Sequence, residues 1–133
     1  MSHNTLENEA EFIEKKFEEL EFRDIIIENK KFENCTFNRT NLNGSSFKNC
    51  WFSDCVFEQS DLSNVQFTSS DLRSMTFKEC KLVGINWITT KSLMHTNWQA
   101  CILSYGNFSG LDLRKSIMQS CVAREADFAE TNF

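Results

Sequence analysis

The sequence predicts an all-β fold, a four-sided parallel β-helix, and two regularities carry this prediction. From Phe32 to Trp87 every fifth residue is large and apolar, and the residue two positions before it is mostly small. A period of five matches neither an α-helix nor a long strand. A fixed short repeat is the signature of a solenoid, in which stacked units bury a continuous core that no single unit could bury. The twelve central residues are Phe32, Phe37, Leu42, Phe47, Phe52, Phe57, Leu62, Phe67, Leu72, Phe77, Leu82 and Trp87.

Each five-residue unit is predicted to be a very short strand followed by a corner. Side chains two apart in a strand share a face, so the small and the central residue both point inward. The next inward residue comes three positions later, so the chain has to turn between them.

Residues twenty apart have similar identities, which predicts four sides per coil. The four columns begin Phe12, Phe32, Phe52, Leu72; Phe17, Phe37, Phe57, Phe77; Phe22, Leu42, Leu62, Leu82; and Ile27, Phe47, Phe67, Trp87. Sixteen units from Phe12 to Trp87 and nine from Leu93 to Phe133 predict about six coils. At the strand spacing of roughly 4.8 Å, the rod would be about 30 Å long.

Two segments depart from the repeat. Residues 1–11 are predicted to be an N-terminal cap before a β-helix over residues 12–133. Helical spacing and a capping box beginning at Asn4 favour a short helix or irregular cap over residues 4–13, whereas Phe12, Phe17 and Phe22 also fit the period of five. Between Trp87 and Leu93 the step is six, so one residue is inserted within 88–92, a bulge that should leave the columns aligned.

The units Asn41-Leu42, Asp61-Leu62 and Asp71-Leu72, each preceded by Thr or Ser, resemble the A-(D/N)-L-x-x motif of the pentapeptide-repeat family. The resemblance implies a right-handed, four-sided parallel β-helix. Units such as Phe32-Glu33-Asn34-Cys35-Thr36-Phe37 are also similar to the Qnr quinolone-resistance and microcin-immunity branch. That branch implies a DNA-mimicking protein that binds DNA gyrase or topoisomerase IV.

Composition limits the classes of function. The chain has 133 residues and a formal net charge of −5. Residues 1–33 contain ten acidic and five basic residues, so all the excess acid lies there, which argues against direct nucleic-acid binding. Without a signal peptide or an apolar run long enough to span a membrane, we expect no membrane association and a cytoplasmic location.

The side chains that could carry chemistry fit the repeat. All six cysteines (Cys35, Cys50, Cys55, Cys80, Cys101 and Cys121) occupy the small inward position, where a free thiol behaves as a small hydrophobe. Cys80, Cys101 and Cys121 should stack in one column, and Cys35 and Cys55 in another. We predict no metal site, no cofactor and no catalytic residues, hence a protein that is not an enzyme.

Two functional hypotheses remain. The first is a rigid protein-interaction scaffold whose partner contacts outward apolar residues, above all Trp51 and the neighbouring Ile102 and Val122. The second is the topoisomerase-binding DNA mimic, which would use outward carboxylates such as Glu18 and Glu58. The column Glu18, Asn38, Glu58, Lys78 ends in a cation, and the extended loops of Gram-negative Qnr proteins are missing.

The chain stops at the inward position Phe133. Either the sequence is part of a longer chain, or its open end pairs with another subunit. We therefore expect a homo-oligomer through the C-terminal coils around Met118, Phe128 and Phe133, because an uncovered apolar coil end associates readily.

Overall fold

The computed structural model describes residues 6–133, which form three-residue strands joined by tight corners. The strands are β1 (Glu11–Ile13), β2 (Lys16–Glu18), β3 (Ile26–Glu28), β4 (Lys31–Glu33), β5 (Thr36–Asn38), β6 (Ser46–Lys48), β7 (Trp51–Ser53), β8 (Val56–Glu58), β9 (Asp71–Arg73), β10 (Thr76–Lys78), β11 (Ser92–Met94), β12 (Asn97–Gln99) and β13 (Ile117–Gln119). A 3₁₀ turn spans Trp87–Thr89. Within residues 6–133 no helix is long and apolar enough to cross a membrane.

The strands pair in parallel into a four-sided solenoid, as predicted. The first face has the strand order β1-β4-β7-β9-β11, and the second has β13-β12-β10-β8-β5-β2. On the third face single bridges replace strands, for example Asn41 with Asp61, and the fourth face begins with the β3–β6 pair. With five and six strands in the two larger sheets, the solenoid has close to the six coils expected from the sequence.

The solenoid begins with β1, earlier than the predicted helix or irregular cap would permit. β1 pairs with β4 in the register Phe12 to Phe32, so the prediction of a helix or irregular cap reaching residue 13 is wrong for residues 11–13. The helical spacing there is coincidental, because ladder bonds to the next coil decide the backbone conformation. Lys30, at a small inward position, stays half-buried and donates from Nζ to the carbonyls of Glu7 (3.3 Å) and Glu9 (2.7 Å). Residues 1–5, and with them Asn4, lie outside the described residues.

Stacked rings fill the interior. Phe37 and Phe57, both fully buried, lie 4.3 Å apart with their planes 6° from parallel. Rings from neighbouring faces meet edge-on, as Trp87 and Trp98 do at 5.4 Å and 82°. Both arrangements suit the quadrupoles of aromatic rings. The predicted inward residues therefore form one continuous core.

The small inward residue also bonds the coil below. Cys55 donates from Sγ to the carbonyl of Phe32 (3.4 Å), and Ser70 donates from Oγ to the carbonyl of Phe47 (3.0 Å). Phe32 and Phe47 are central residues of the coil before, and each lies three positions ahead of the small residue that Cys55 or Ser70 stacks on. A thiol or hydroxyl at this position therefore joins adjacent coils as well as filling space.

The inserted residue is absorbed at one corner. Ser69 donates to the carbonyl of Thr89, twenty residues later, whereas Lys91 donates to the carbonyl of Ser70, twenty-one residues earlier. In regular coils this forward bond spans nineteen residues, as from Asn49 to Thr68, so the extra residue is taken up before Thr89, within the 3₁₀ turn Trp87–Thr89. Thr90 Oγ donates back to the carbonyl of Trp87 at 2.8 Å. Beyond it the columns continue, with Phe77 in register with Trp98.

Candidate interaction surfaces

Trp51 places an aromatic ring on the outside of the first face. It begins β7, where its side chain alternates with the buried Phe52, and it remains 37 % exposed. Lys31 and Asp71 flank it in register on the coils before and after. The Lys31 ammonium lies 4.2 Å from the ring centroid, within the range of a cation–π contact. This contact holds one side of the ring and leaves its outer surface available.

The corner that takes up the inserted residue lies beside this ring. Trp51, Asp71, Thr89, Thr90 and Lys91 line a shallow polar cavity of about 390 Å³ at the corner between the fourth and first faces. The exposed ring and the break in the repeat therefore occur at one place, which we call the Trp51 corner. Ile88, 42 % exposed, lies next to Thr89 and was not singled out from the sequence. The six-residue step was the signal that pointed to it.

The structure places Ile102 and Val122 together on the third face. They form a bridge on successive coils and are 39 % and 49 % exposed. The contact expected between them is therefore present. Trp51 belongs to the opposite face, so the three apolar residues proposed for partner binding do not form one surface.

The acidic residues do not form a continuous stripe. Glu18, Asn38, Glu58 and Lys78 follow one another in register on the second face, so the column runs from acid to base. Beside it, Gln59 donates from Nε2 to Glu79 Oε1 at 3.2 Å. Glu18 is exposed, whereas Glu58 is half-buried between its neighbours. Glu18 and Glu58 thus lie on one face without forming a cluster.

A family profile described as a pentapeptide repeat region matches residues 7–87, more than half of the chain. The chain belongs to the pentapeptide-repeat family. No curated protein sequence matches it significantly. Among solved structures, this pentapeptide-repeat protein is similar to Rfr23 from the cyanobacterium Cyanothece 51142, with a TM-score of 0.57 and 12 % identity over 95 % of this chain and 96 % of that one.

A second similar structure is a trypsin-treated variant of QnrB1, a plasmid-mediated fluoroquinolone resistance protein. It has a TM-score of 0.49 and 22 % identity, over 92 % of this chain and 69 % of the other. The likeness to Rfr23, at 12 % identity, concerns the fold alone and agrees with the family match. The fold predicted from the repeat is therefore confirmed for this pentapeptide-repeat protein.

The cysteines stack as expected within the core. Cys55 and Cys35 are adjacent, as are Cys80 and Cys101, and Cys101 and Cys121. The hydrogen-bond contact between these two thiols lowers the pKa of Cys35 to about 7 and raises the pKa of Cys55, which burial raises further. All six thiols are free, and five are buried. Cys121 alone is partly exposed.

The C-terminal residues proposed for oligomerisation lie at the ends of the columns. Phe128 stacks on Phe108 at 4.9 Å and contacts Phe133 at 5.6 Å. Met118, in β13, and Phe128 are half-buried, and Phe133 is 68 % exposed. The three residues are therefore central residues of their units, as the repeat predicts, with apolar surface left uncovered.

Proposed function

We propose that this pentapeptide-repeat protein is a rigid, non-enzymatic scaffold that binds a protein partner through the Trp51 corner. The main observation in support of this proposal is that Trp51 is exposed beside the six-residue step, the one break in the repeat. Elsewhere on the first face the equivalent positions are all polar: Glu11, Lys31, Asp71, Ser92, Asp112 and Asn132. Tryptophan is strongly enriched among the residues that dominate binding energy at protein interfaces.

The rigidity of the fold supports this role. Each coil pairs with the next by backbone bonds, and the stacked rings leave the interior filled. When a partner binds the Trp51 corner, few groups of this protein would therefore lose conformational freedom. Pre-organisation of this kind raises affinity by reducing the entropy lost on association.

The proposal is tested by replacing Trp51 with Ser, the residue at the equivalent position of β11. Immobilised wild-type protein and the Trp51→Ser variant are used to capture proteins from the native host, and captured partners are then titrated as purified proteins. The matched control is Ile117→Ser, because Ile117 also begins a strand and is 55 % exposed, on the second face.

We expect Trp51→Ser to weaken binding about 30-fold, the equivalent of the roughly 2 kcal/mol typical of a dominant interface residue. Ile117→Ser should change it less than twofold. Equal capture of every partner by wild type and Trp51→Ser would contradict the proposal.

DNA gyrase or topoisomerase IV is a second candidate partner, supported by the concentration of acid in the first coil. Glu11, Glu14, Glu18, Glu19 and Glu21 are all exposed there. The mixed-sign column through Glu58 and Lys78 speaks against extended DNA mimicry. A supercoiling assay with purified gyrase and a fluoroquinolone decides this: restored supercoiling identifies a protecting protein. No effect at tens of micromolar would remove gyrase as a partner.

Oligomerisation and location complete the proposal. We propose a cytoplasmic protein that self-associates through Met118, Phe128 and Phe133, because their uncovered apolar surface favours association. Light scattering should then give a mass above 15.5 kDa at tens of micromolar. A monomer at that concentration would exclude this interface.

A further inference from the structure

The parallel ladder is interrupted at one place on the first face. β11 pairs with β9 on the coil before it, and Asp112 bridges Asn132 on the coil after it. Within residues 6–133, no hydrogen bond joins segment 91–95 to segment 111–115. The same two coils are bonded on the other three faces, by β12 with β13 and by the bridges Ile102 to Val122 and Asn107 to Asp127.

Backbone amides beside this interruption lack the acceptors that equivalent amides have at other corners. Ser74 donates its amide to the carbonyl of Met94, and Ala100 donates to Gln119, each at 2.9 Å. His95 occupies the same corner position, with the same φ of 53°, yet its amide has no protein acceptor among the described residues. The amides of Leu93 and Asp112 also lack one. An unpaired backbone edge therefore lies between the two segments.

The inward column at this corner lacks its small residues on both sides of the interruption. On the coils below, Cys50 donates its amide to Ser70 Oγ at this corner, and Ser70 donates onward to the carbonyl of Phe47. Lys91 and Leu111 replace such residues on the next two coils. Neither residue continues the side-chain bonds that Ser70 makes at this corner.

A cleft of about 700 Å³ occupies the gap. Its apolar lining includes Leu93, Met94 and Leu111, and His95, Arg114 and Lys115 stand at its rim. Arg114 is held by Asp112 through a two-point ion pair, with Nη2–Oδ2 at 2.7 Å and Nε–Oδ1 at 2.9 Å. Lys115 is exposed and makes no ion pair within the described residues, so the rim carries positive charge in a protein that is acidic overall.

We propose that this cleft binds a short extended peptide segment of a partner protein by β-strand addition, and that the segment alternates apolar and acidic residues. The free amides and carbonyls of both walls would supply the main-chain bonds that give affinity in this mode of recognition. Alternate side chains would point inward onto Leu93 and Leu111, and the others outward towards His95 and Lys115. About three residues would pair, the length of one side of the solenoid.

Lys91 is the one residue common to the walls of the cleft and the Trp51 corner, and neither test replaces it, so failure of one proposal leaves the other standing. Hydrogen exchange measured by NMR first tests the cleft itself. In the free protein the amide of His95, corrected for its intrinsic rate, should exchange at least about 100-fold faster than those of Ser74 and Ala100, because unbonded amides open without local unfolding. Equal protection of the three amides would show that the ladder is closed, and would overturn the proposal.

The second test uses a fluorescein-labelled peptide, acetyl-Glu-Val-Glu-Leu-Glu-Val-Glu-amide, and fluorescence anisotropy. Binding should slow exchange at His95, weaken at least tenfold in Lys115→Glu, and change less than twofold in Lys81→Glu, a matched exposed lysine on the opposite face. A peptide N-methylated at alternate residues should bind at least tenfold more weakly, because it loses donors along one edge.

Three results would refute strand addition. The first is no binding at millimolar peptide, and the second is equal binding of the N-methylated peptide, which would mean attraction by charge alone. The third is a dimer that Lys115→Glu dissociates, which would mean that a second copy of the chain occupies the cleft.

Discussion

Truncating a ring in the middle of the core tests the stacking described above. Phe57 is fully buried and lies between Phe37 at 4.3 Å and Phe77 at 5.6 Å, with both ring pairs close to parallel. Phe→Ala in a core costs about 3–5 kcal/mol. Because two ring contacts worth roughly 0.5–1.5 kcal/mol each are lost together, we expect Phe57→Ala to cost about 4–5 kcal/mol. That is a large part of the roughly 5–15 kcal/mol that stabilises a domain.

A second variant in the same column provides the comparison. Phe17 is 5 % exposed and stacks on Phe37 alone within the described residues, at 4.8 Å. In a solenoid each repeat is stabilised by its neighbours, so an outer coil can open without the rest. We expect Phe17→Ala to cost about 2–3 kcal/mol, and Phe57→Leu, which fills most of the volume, less than about 1.5 kcal/mol.

Urea denaturation followed by far-ultraviolet circular dichroism and tryptophan fluorescence measures these differences. Circular dichroism reports on all coils, whereas the buried Trp87 and Trp98 report on the coils after Phe57 once Trp51, which precedes Phe57, is replaced by Ser in every variant compared. Separate transitions for the two signals in Phe57→Ala would show that the defect divides the stack. A cost below about 1.5 kcal/mol for Phe57→Ala, or an equal cost for Phe17→Ala, would refute the reasoning.

Three further predictions concern the corners, the thiols and the outer surface. Ala100 is exposed with φ of 53°, a conformation that favours glycine, so Ala100→Gly should stabilise the protein by up to about 1 kcal/mol. At Ala129 φ is not positive, so Ala129→Gly should destabilise the protein by about 0.5–1 kcal/mol. Thermal melts that show the reverse order would contradict this prediction. Cys121 should be the first cysteine to react with a disulfide reagent. Its reaction should become faster as the pH rises towards 9 and above, because burial raises the pKa of Cys121 and the thiolate is the nucleophile. A fast phase that persists in Cys121→Ser would contradict this prediction. Trp51→Ser should cost less than about 1.5 kcal/mol in urea, mainly the contact with Lys31, and a larger loss would mean that the ring supports the core.

Corner geometry explains a feature of the repeat that the period alone did not. Asn41 and Asp61 each accept, at Oδ1, the amide of the residue two positions later, at 3.0 Å. The Asn or Asp of the A-(D/N)-L-x-x motif therefore stabilises the turn, as such side chains do in Asx turns. In the sequence these residues served only to recognise the motif, and this bond was not assigned to them.

The period of five determined the fold, because each inward position needs an apolar residue to bury, and columns of like residues twenty apart appear only if four sides close a coil. It also located the inserted residue and the outward position of Trp51. The four columns also implied that Ile102 lies on the face opposite Trp51. Proximity across a corner needed the tertiary structure: that Thr90 lies beside Trp51 follows from how the chain folds at the six-residue step. The cleft between segments 91–95 and 111–115 had a visible signal, since Lys91 and Leu111 occupy small positions in successive coils. Such residues can be accommodated within the stack or can separate two coils. The outcome depends on backbone hydrogen bonds between residues about twenty apart, and only the folded structure decides which of those bonds form.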